Sequence, residues 1–221
     1  MFWALFALPL FVCSSPLDSL KVRRIEGGSL KTFVPKKGTC SHDILLTSRG
    51  RPLDSEVELW QGPENTPIKI RTYSENGLLL PQRIVVASSP HTSATLALRN
   101  KGTAEFPFEA SVEPDVKLKF SKSNFNDKLV LVQGGSLKTF PFHPCVECLQ
   151  IFICTDGRPL NARVENLQGP NTVKQVSEAY SDDGHERPIF TLFHTPGPGN
   201  VIRIINTGPL SFPLYVAALE Y

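Results

Sequence analysis

One seven-residue string occurs twice in this chain. Gly27-Gly28-Ser29-Leu30-Lys31-Thr32-Phe33 returns letter for letter as Gly134-Gly135-Ser136-Leu137-Lys138-Thr139-Phe140. Gly50-Arg51-Pro52-Leu53 returns as Gly157-Arg158-Pro159-Leu160, and Gln61-Gly62-Pro63 as Gln168-Gly169-Pro170, each time 107 positions on. Asn65-Thr66 matches Asn171-Thr172, Tyr73-Ser74 matches Tyr180-Ser181, and Asn100, Gly102, Phe106 and Pro107 match Asn206, Gly208, Phe212 and Pro213. Chance supplies a tetrapeptide but not a co-linear series, so the chain reads as one unit written twice. The units run over residues 20–113 and 127–221. Residues 114–126 join them, a short polar linker containing Lys117, Lys119 and Lys122, with room for one strand over 116–120.

Each unit reads as strands. Glu56-Val57-Glu58-Leu59-Trp60 alternates with period two, and so does its partner Asn161-Ala162-Arg163-Val164-Glu165-Asn166-Leu167. Leu129–Val132, Arg83–Val86 and Val201–Ile205 are β-rich runs, separated by turn pairs such as Asn76-Gly77, Asp156-Gly157 and Asp183-Gly184. No stretch keeps a helical period over a dozen residues. Seven or eight short strands per unit predict two tandem homologous β-sandwich or jelly-roll-like domains, an all-β protein. The 19 prolines suit turns and sheet edges. A length of 221 residues accommodates two such domains.

The N-terminus reads as an address. Residues 2–13 are apolar apart from Pro9, and Ser14-Ser15-Pro16 follow, as in a secretory signal cleaved near Ser14 or Ser15. Residues 1–15 are therefore assigned to a signal or targeting segment, although no Lys or Arg precedes the apolar run; a first core strand is the competing reading. No apolar run reaches the roughly 18 residues of a membrane span. With 23 basic and 21 acidic residues, a net charge of +2 and no basic stripe, a dedicated nucleic-acid surface is not expected.

Catalytic signals are poor. His143-Pro144-Cys145-Val146-Glu147-Cys148, with Cys154 beyond, is the most metal-like stretch, yet a zinc site wants a second ligand pair at a distance. The first unit has only Cys40 in that region, so these residues read as thiols, with a disulfide or metal as the competing reading. Ser181-Asp182-Asp183-Gly184-His185 lacks the spaced acidic ligands of a calcium loop and reads as a turn. There is no Gly-x-Ser-x-Gly elbow, P-loop or His-Glu-x-x-His, and His42, His91, His143, His185 and His194 share no repeated position. Glu58 and Glu165 are repeat partners; solvent-facing strand charge is expected, against a carboxylate pair across the units. No catalytic residue, cofactor or metal is expected.

Most repeated residues have scaffold explanations: Gly-Gly for positive φ or a bulge before a strand, Gly-Arg-Pro-Leu for a turn, Gln-Gly-Pro for a strand exit. Lys31, Lys138, Arg51 and Arg158 are the repeated polar residues that a fold needs least, which makes them candidate contacts for assembly.

The ordered set of Gly-Gly-Ser-Leu-Lys-Thr-Phe, Gly-Arg-Pro-Leu, Val57-Glu58-Leu59-Trp60, Gln61-Gly62-Pro63-Glu64-Asn65-Thr66-Pro67 and Asn206-Thr207-Gly208-Pro209-Leu210-Ser211-Phe212-Pro213-Leu214 resembles the pyrenoid shell (PyShell) proteins of diatoms and related algae. The resemblance covers both units. It implies a non-enzymatic tandem β protein that self-assembles into a sheet around the Rubisco-filled pyrenoid of the chloroplast, in support of CO2 fixation. The implied partners are further copies of the chain and components of the Rubisco matrix. Two departures stand out. Only a dozen or so residues separate the leader from the first strand, where a transit peptide would lie, and the first unit has Asn100-Lys101-Gly102-Thr103-Ala104 where the second keeps Asn-Thr-Gly-Pro-Leu.

Two functional classes follow. A structural lattice protein would use repeated contacts that do not close on themselves. A secreted β-sandwich module binding carbohydrate or protein would also use the leader, but only Trp60 remains after it as an aromatic platform, and its repeat partner is Leu167.

Overall fold

The computed structural model describes residues 21–35, 38–89, 91, 93–114, 125–169 and 171–220. The signal segment assigned to residues 1–15, most of the linker and the strand considered over 116–120 lie outside the described residues.

The first unit supplies β1 (Arg23–Ile25), β2 (Leu30–Phe33), β3 (Ser41–Thr47), β4 (Leu53–Gln61), β5 (Asn65–Ser74), β6 (Gln82–Ala87), β7 (Thr95–Asn100) and β8 (Phe108–Pro114). The second supplies β9 (Val130–Val132), β10 (Leu137–Phe140), β11 (Cys148–Cys154), β12 (Leu160–Gln168), β13 (Thr172–Ser181), β14 (Ile189–His194), β15 (Asn200–Asn206) and β16 (Leu214–Glu220). A single 3-10 turn, Asn126–Lys128, precedes β9. The all-β sandwich expected from the alternation is what forms.

The strands make two antiparallel sheets of eight. Sheet A has the order β1-β8-β3-β6-β14-β11-β16-β9, and sheet B the order β10-β15-β12-β13-β5-β4-β7-β2. Within the first unit this reads β1-β8-β3-β6 against β2-β7-β4-β5, the order of a jelly roll. The second unit repeats it strand for strand. The units then meet edge to edge in both sheets, through β6–β14 and β5–β13. Ile84 faces Thr191 across one joint and Arg71 faces Glu178 across the other. Each of these pairs is separated by 107 residues, so an approximate two-fold axis passes through both.

One main core runs the length of the sandwich. Alternate residues of β4 and β5 point into it: Leu53, Val57, Leu59, Ile68 and Ile70 are all buried, as are Leu160, Ala162 and Val164 of β12. A second small core lies on the outer face of sheet A. There Phe125 stacks on Phe152 at 5.0 Å, and Phe152 meets Phe190 at 4.5 Å, so the chain entering the second unit is pinned by an aromatic cluster.

The repeated glycines and asparagines explain the loops. A Cβ on Gly27 or Gly134 would stand 1.8 or 1.9 Å from the carbonyl oxygen of Thr103 or Pro209, so only glycine lets the two backbones touch. Gly28 and Gly135 follow with φ of 71° and 74°. The buried Asn206 donates Nδ2 to the carbonyls of Val132 (3.0 Å) and Phe212 (2.8 Å) and accepts from Gly208 N at 2.9 Å. Asn100 makes the same three bonds to Ile25, Phe106 and Gly102. Asn-x-Gly is thus a latch tying the first edge strand of each unit to its last loop.

Candidate functional site

The sheet order leaves two exposed ends. One carries the short edge strands β1 and β2, the other β9 and β10. Edge strands present unpaired backbone groups, and these proteins of short edges must manage them. Lys31 lies on β2 and Lys138 on β10, both exposed, and neither ammonium has a partner among the described residues. The twofold arrangement puts them in equivalent places at opposite ends.

Arg51 and Arg158 have tasks within the chain. Arg51 Nη1 donates to the Glu105 carbonyl at 3.0 Å, and Arg158 Nη1 donates to the Ser211 carbonyl. Their own carbonyls accept from Gly77 N and Gly184 N, both at 3.0 Å, which docks one turn on another. Arg51 and Arg158 are therefore not among the residues the fold needs least: each guanidinium braces the loop before the last strand of its unit.

The two ends differ in chemistry. The first has a cleft lined by Arg24, Arg49, Arg51, Glu105 and Glu109, in which Arg49 Nη2 holds Glu109 at 2.9 Å. At equivalent places the second end has Leu131 for Arg24, Leu210 for Ala104 and Tyr215 for Glu109. Leu131, Leu137 and Leu210 are 48%, 56% and 79% exposed.

The outer face of sheet B is a ladder of charge. Lys69 Nζ lies 3.0 Å from both Glu56 and Glu58, and Trp60 Nε1 donates to Glu58 at 2.9 Å. Arg71 reaches Asp54 at 3.3 Å. In the second unit Arg163 and Arg203 each donate to Glu165 at 2.7 Å, and Arg163 also bonds Glu178. Burial alone would raise the Glu58 carboxyl, but the bonds from Trp60 and Lys69 outweigh it and hold it below its ordinary value. Glu165 is lowered in the same way, its burial offset by Arg163 and Arg203. The expectation of solvent-facing charge is corrected here: Glu165 is 3% exposed, because long arginine side chains cover it. The two glutamates sit on separate strands, each in its own ion-pair cluster, and form no carboxylate pair.

Cys40, Cys145, Cys148 and Cys154 form no disulfide with one another. Cys148 Sγ lies 3.6 Å from His194 Nδ1. Burial, with the charge of Arg83, lowers the His194 pKa to about 4. Among the described residues no three His, Cys, Asp or Glu side chains gather as a metal site, and no helix is long and apolar enough to cross a membrane.

The family model of the diatom pyrenoid shell protein matches residues 17–220, nearly the whole chain. The chain belongs to the diatom pyrenoid shell protein family. Pyrenoid shell proteins are structural components, and the family implies a place at the chloroplast pyrenoid. No curated protein matches. Among solved structures, the PBSX exported protein XepA is similar at 10% identity, covering 90% of this chain and 85% of its own, with a TM-score of 0.28. The tandem CBM22-1-CBM22-2 domains of Paenibacillus barcinonensis Xyn10C are similar at 12% identity, covering 90% and 93%, with a TM-score of 0.26. Likeness at that level carries no argument about this pyrenoid shell protein.

Proposed function

We propose that this pyrenoid shell protein is a non-enzymatic building block whose two units act as tandem domains. Copies of it assemble into a sheet-like shell around the Rubisco-containing pyrenoid, supporting CO2 fixation. Its partners are other copies of itself and components of the Rubisco matrix, and its N-terminal segment directs it to the chloroplast. Membership of the family over residues 17–220 carries the reading.

The geometry supports it in one respect above others. Both ends of the sandwich offer a pair of short edge strands in equivalent positions, so copies can add at either end without closing a ring. A net charge of +2 brings little long-range repulsion between copies. Lys31 and Lys138 are the contacts we favour, since neither ammonium has a partner among the described residues; Arg51 and Arg158 are secondary.

Purified protein followed by light scattering and electron microscopy over a concentration series tests this. Wild type should form extended sheets or tubes, and Lys31→Glu with Lys138→Glu should abolish them while the β circular dichroism stays intact. A wild type that remains monomeric at high concentration in low and moderate salt overturns assembly. Charge-reversed protein that assembles as well as wild type, or better, overturns the role of the lysines, because edge lysines then serve only to keep edges apart.

A further inference from the structure

The approximate two-fold axis relates two regions of the core, and they are chemically unlike. On one side Leu59 and Ile68 face each other across β4 and β5, with Ile189 of β14 nearby in the equivalent arrangement; all three are buried. On the other side the equivalent residues are Asn166, Gln175 and Gln82. Asn166 and Gln175 face each other across β12 and β13. All three amides are 0% exposed. Three aliphatic positions on one side thus correspond to three amides on the other.

Each amide ties one sheet to the other. Asn166 Nδ2 donates to the His194 carbonyl at 3.0 Å, Gln175 Nε2 to the Pro81 carbonyl at 3.2 Å, and Gln82 Nε2 to the Tyr73 carbonyl at 3.2 Å. Carbonyls only accept, so these bonds fix which end of each amide is nitrogen. The oxygens are left over. Gln82 Oε1, Asn166 Oδ1 and Gln175 Oε1 have no hydrogen-bond partner among the described residues. Buried acceptors are almost always satisfied, because leaving one dry forfeits its hydration.

We propose that this region is an internal water site, in which buried waters donate to Gln82 Oε1, Asn166 Oδ1 and Gln175 Oε1. The ligand must bring donors, because all three open atoms are acceptors. One water offers two hydrogens, so three acceptors call for at least two waters. Asparagine and unbranched glutamine are smaller than the leucine and isoleucines across the axis, and the proposed waters, of about 30 Å³ each, would take up that difference. A cation is the other species that would seek three oxygens. It would find only amide and backbone oxygens here, since among the described residues no three His, Cys, Asp or Glu side chains gather as a metal site. The waters would join the units, since Gln82 comes from the first and Asn166 and Gln175 from the second.

The experiment is a structure of the full chain at about 2 Å or better. At least two ordered waters should lie about 2.7–3.2 Å from the three oxygens. An empty region, oxygens satisfied by protein donors, or a metal ion coordinated at about 2.3–2.6 Å would each overturn the proposal. A second measurement is magnetic relaxation dispersion on wild type and on the variant Gln82→Ile, Asn166→Leu, Gln175→Ile. The variant should lose two or more long-lived waters, and an unchanged count overturns the proposal. If the triple variant does not fold, Asn166→Leu alone should remove at least one ordered water from the wild-type set, and retention of them all counts against it.

Discussion

Glu58 and Glu165 stand at the same place in β4 and β12, 107 residues apart, and each carboxylate is gripped by two donors, a different pair in each unit. Trp60 and Lys69 hold the first; Arg163 and Arg203 hold the second. Duplication has kept the acid and exchanged its partners, so the position needs a satisfied negative charge more than any one neighbour.

Acid should therefore weaken the fold through these two groups. Both carboxyls are held below their ordinary value of 4.5 in the folded chain. The unfolded chain then takes up protons first, and stability present above pH 4.5 falls away as pH drops below it. Glu165→Gln should flatten that part of the curve and cost about 1–3 kcal/mol at pH 7, because the amide carries no charge and keeps one acceptor oxygen where Arg163 and Arg203 use two. Urea unfolding across pH 3–7 reads both effects.

His194 acts in a higher window. Its folded pKa of about 4 lies below the ordinary 6.5, so the neutral ring is the form the fold accepts. Stability is full above pH 6.5 and declines as pH falls towards 4, by about 3 kcal/mol for the whole shift. His194→Gln should remove this slope while leaving the decline below pH 4.5. The same urea series, with that variant beside wild type, makes the comparison.

The asparagine latches should be costly to open. Asn206→Ala strands the Val132 and Phe212 carbonyls and the Gly208 amide, and should lose at least about 2 kcal/mol. Asn100→Ala should lose a similar amount. Thermal unfolding followed by circular dichroism would show lowered midpoints for both, and a shift no larger than that of a surface alanine would refute the latch.

The paired glycines should respond unequally. Gly134→Ala drives a Cβ into the Pro209 carbonyl, backbone against backbone, and should cost roughly 3 kcal/mol or more. Gly135→Ala meets open space and pays only for its left-handed φ, about 1–2 kcal/mol. Denaturant midpoints of the two variants give the ratio directly.

Much of this was legible in the sequence, for identifiable reasons. Alternation in Glu56–Trp60 and over residues 161–165 marks β4 and β12 because Val57, Leu59, Ala162 and Val164 are the inward, apolar positions. The duplicated glycines mark loops because Gly27 and Gly134 leave no room for a Cβ and Gly28 and Gly135 take a left-handed φ. The pairing of β5 with β13 was not legible: Arg71 and Glu178 meet across the joint, and no local pattern in either strand names its neighbour in a sheet. Nor was the burial of Glu165, since its alternation points outward and only the overlying Arg163 and Arg203 hide it. The amide cluster could have been sought by comparing units, where Asn166, Gln175 and Gln82 stand against Leu59, Ile68 and Ile189.

The two joints between the units are unequal in length. The β5–β13 ladder runs over seven facing pairs, from Ile68 to Ser74 opposite Ser181 to Gln175, while β6–β14 has three. Ladder bonds lie across the strands, so tension applied from one end of the sandwich to the other pulls along them. Under such a load sheet A gives way first, between Arg83–Val85 and Phe190–Leu192, and sheet B keeps the two halves tethered like a hinge. If copies join as proposed, a wall of such blocks would bend at its blocks before it tears between them wherever the contacts between copies exceed three facing pairs.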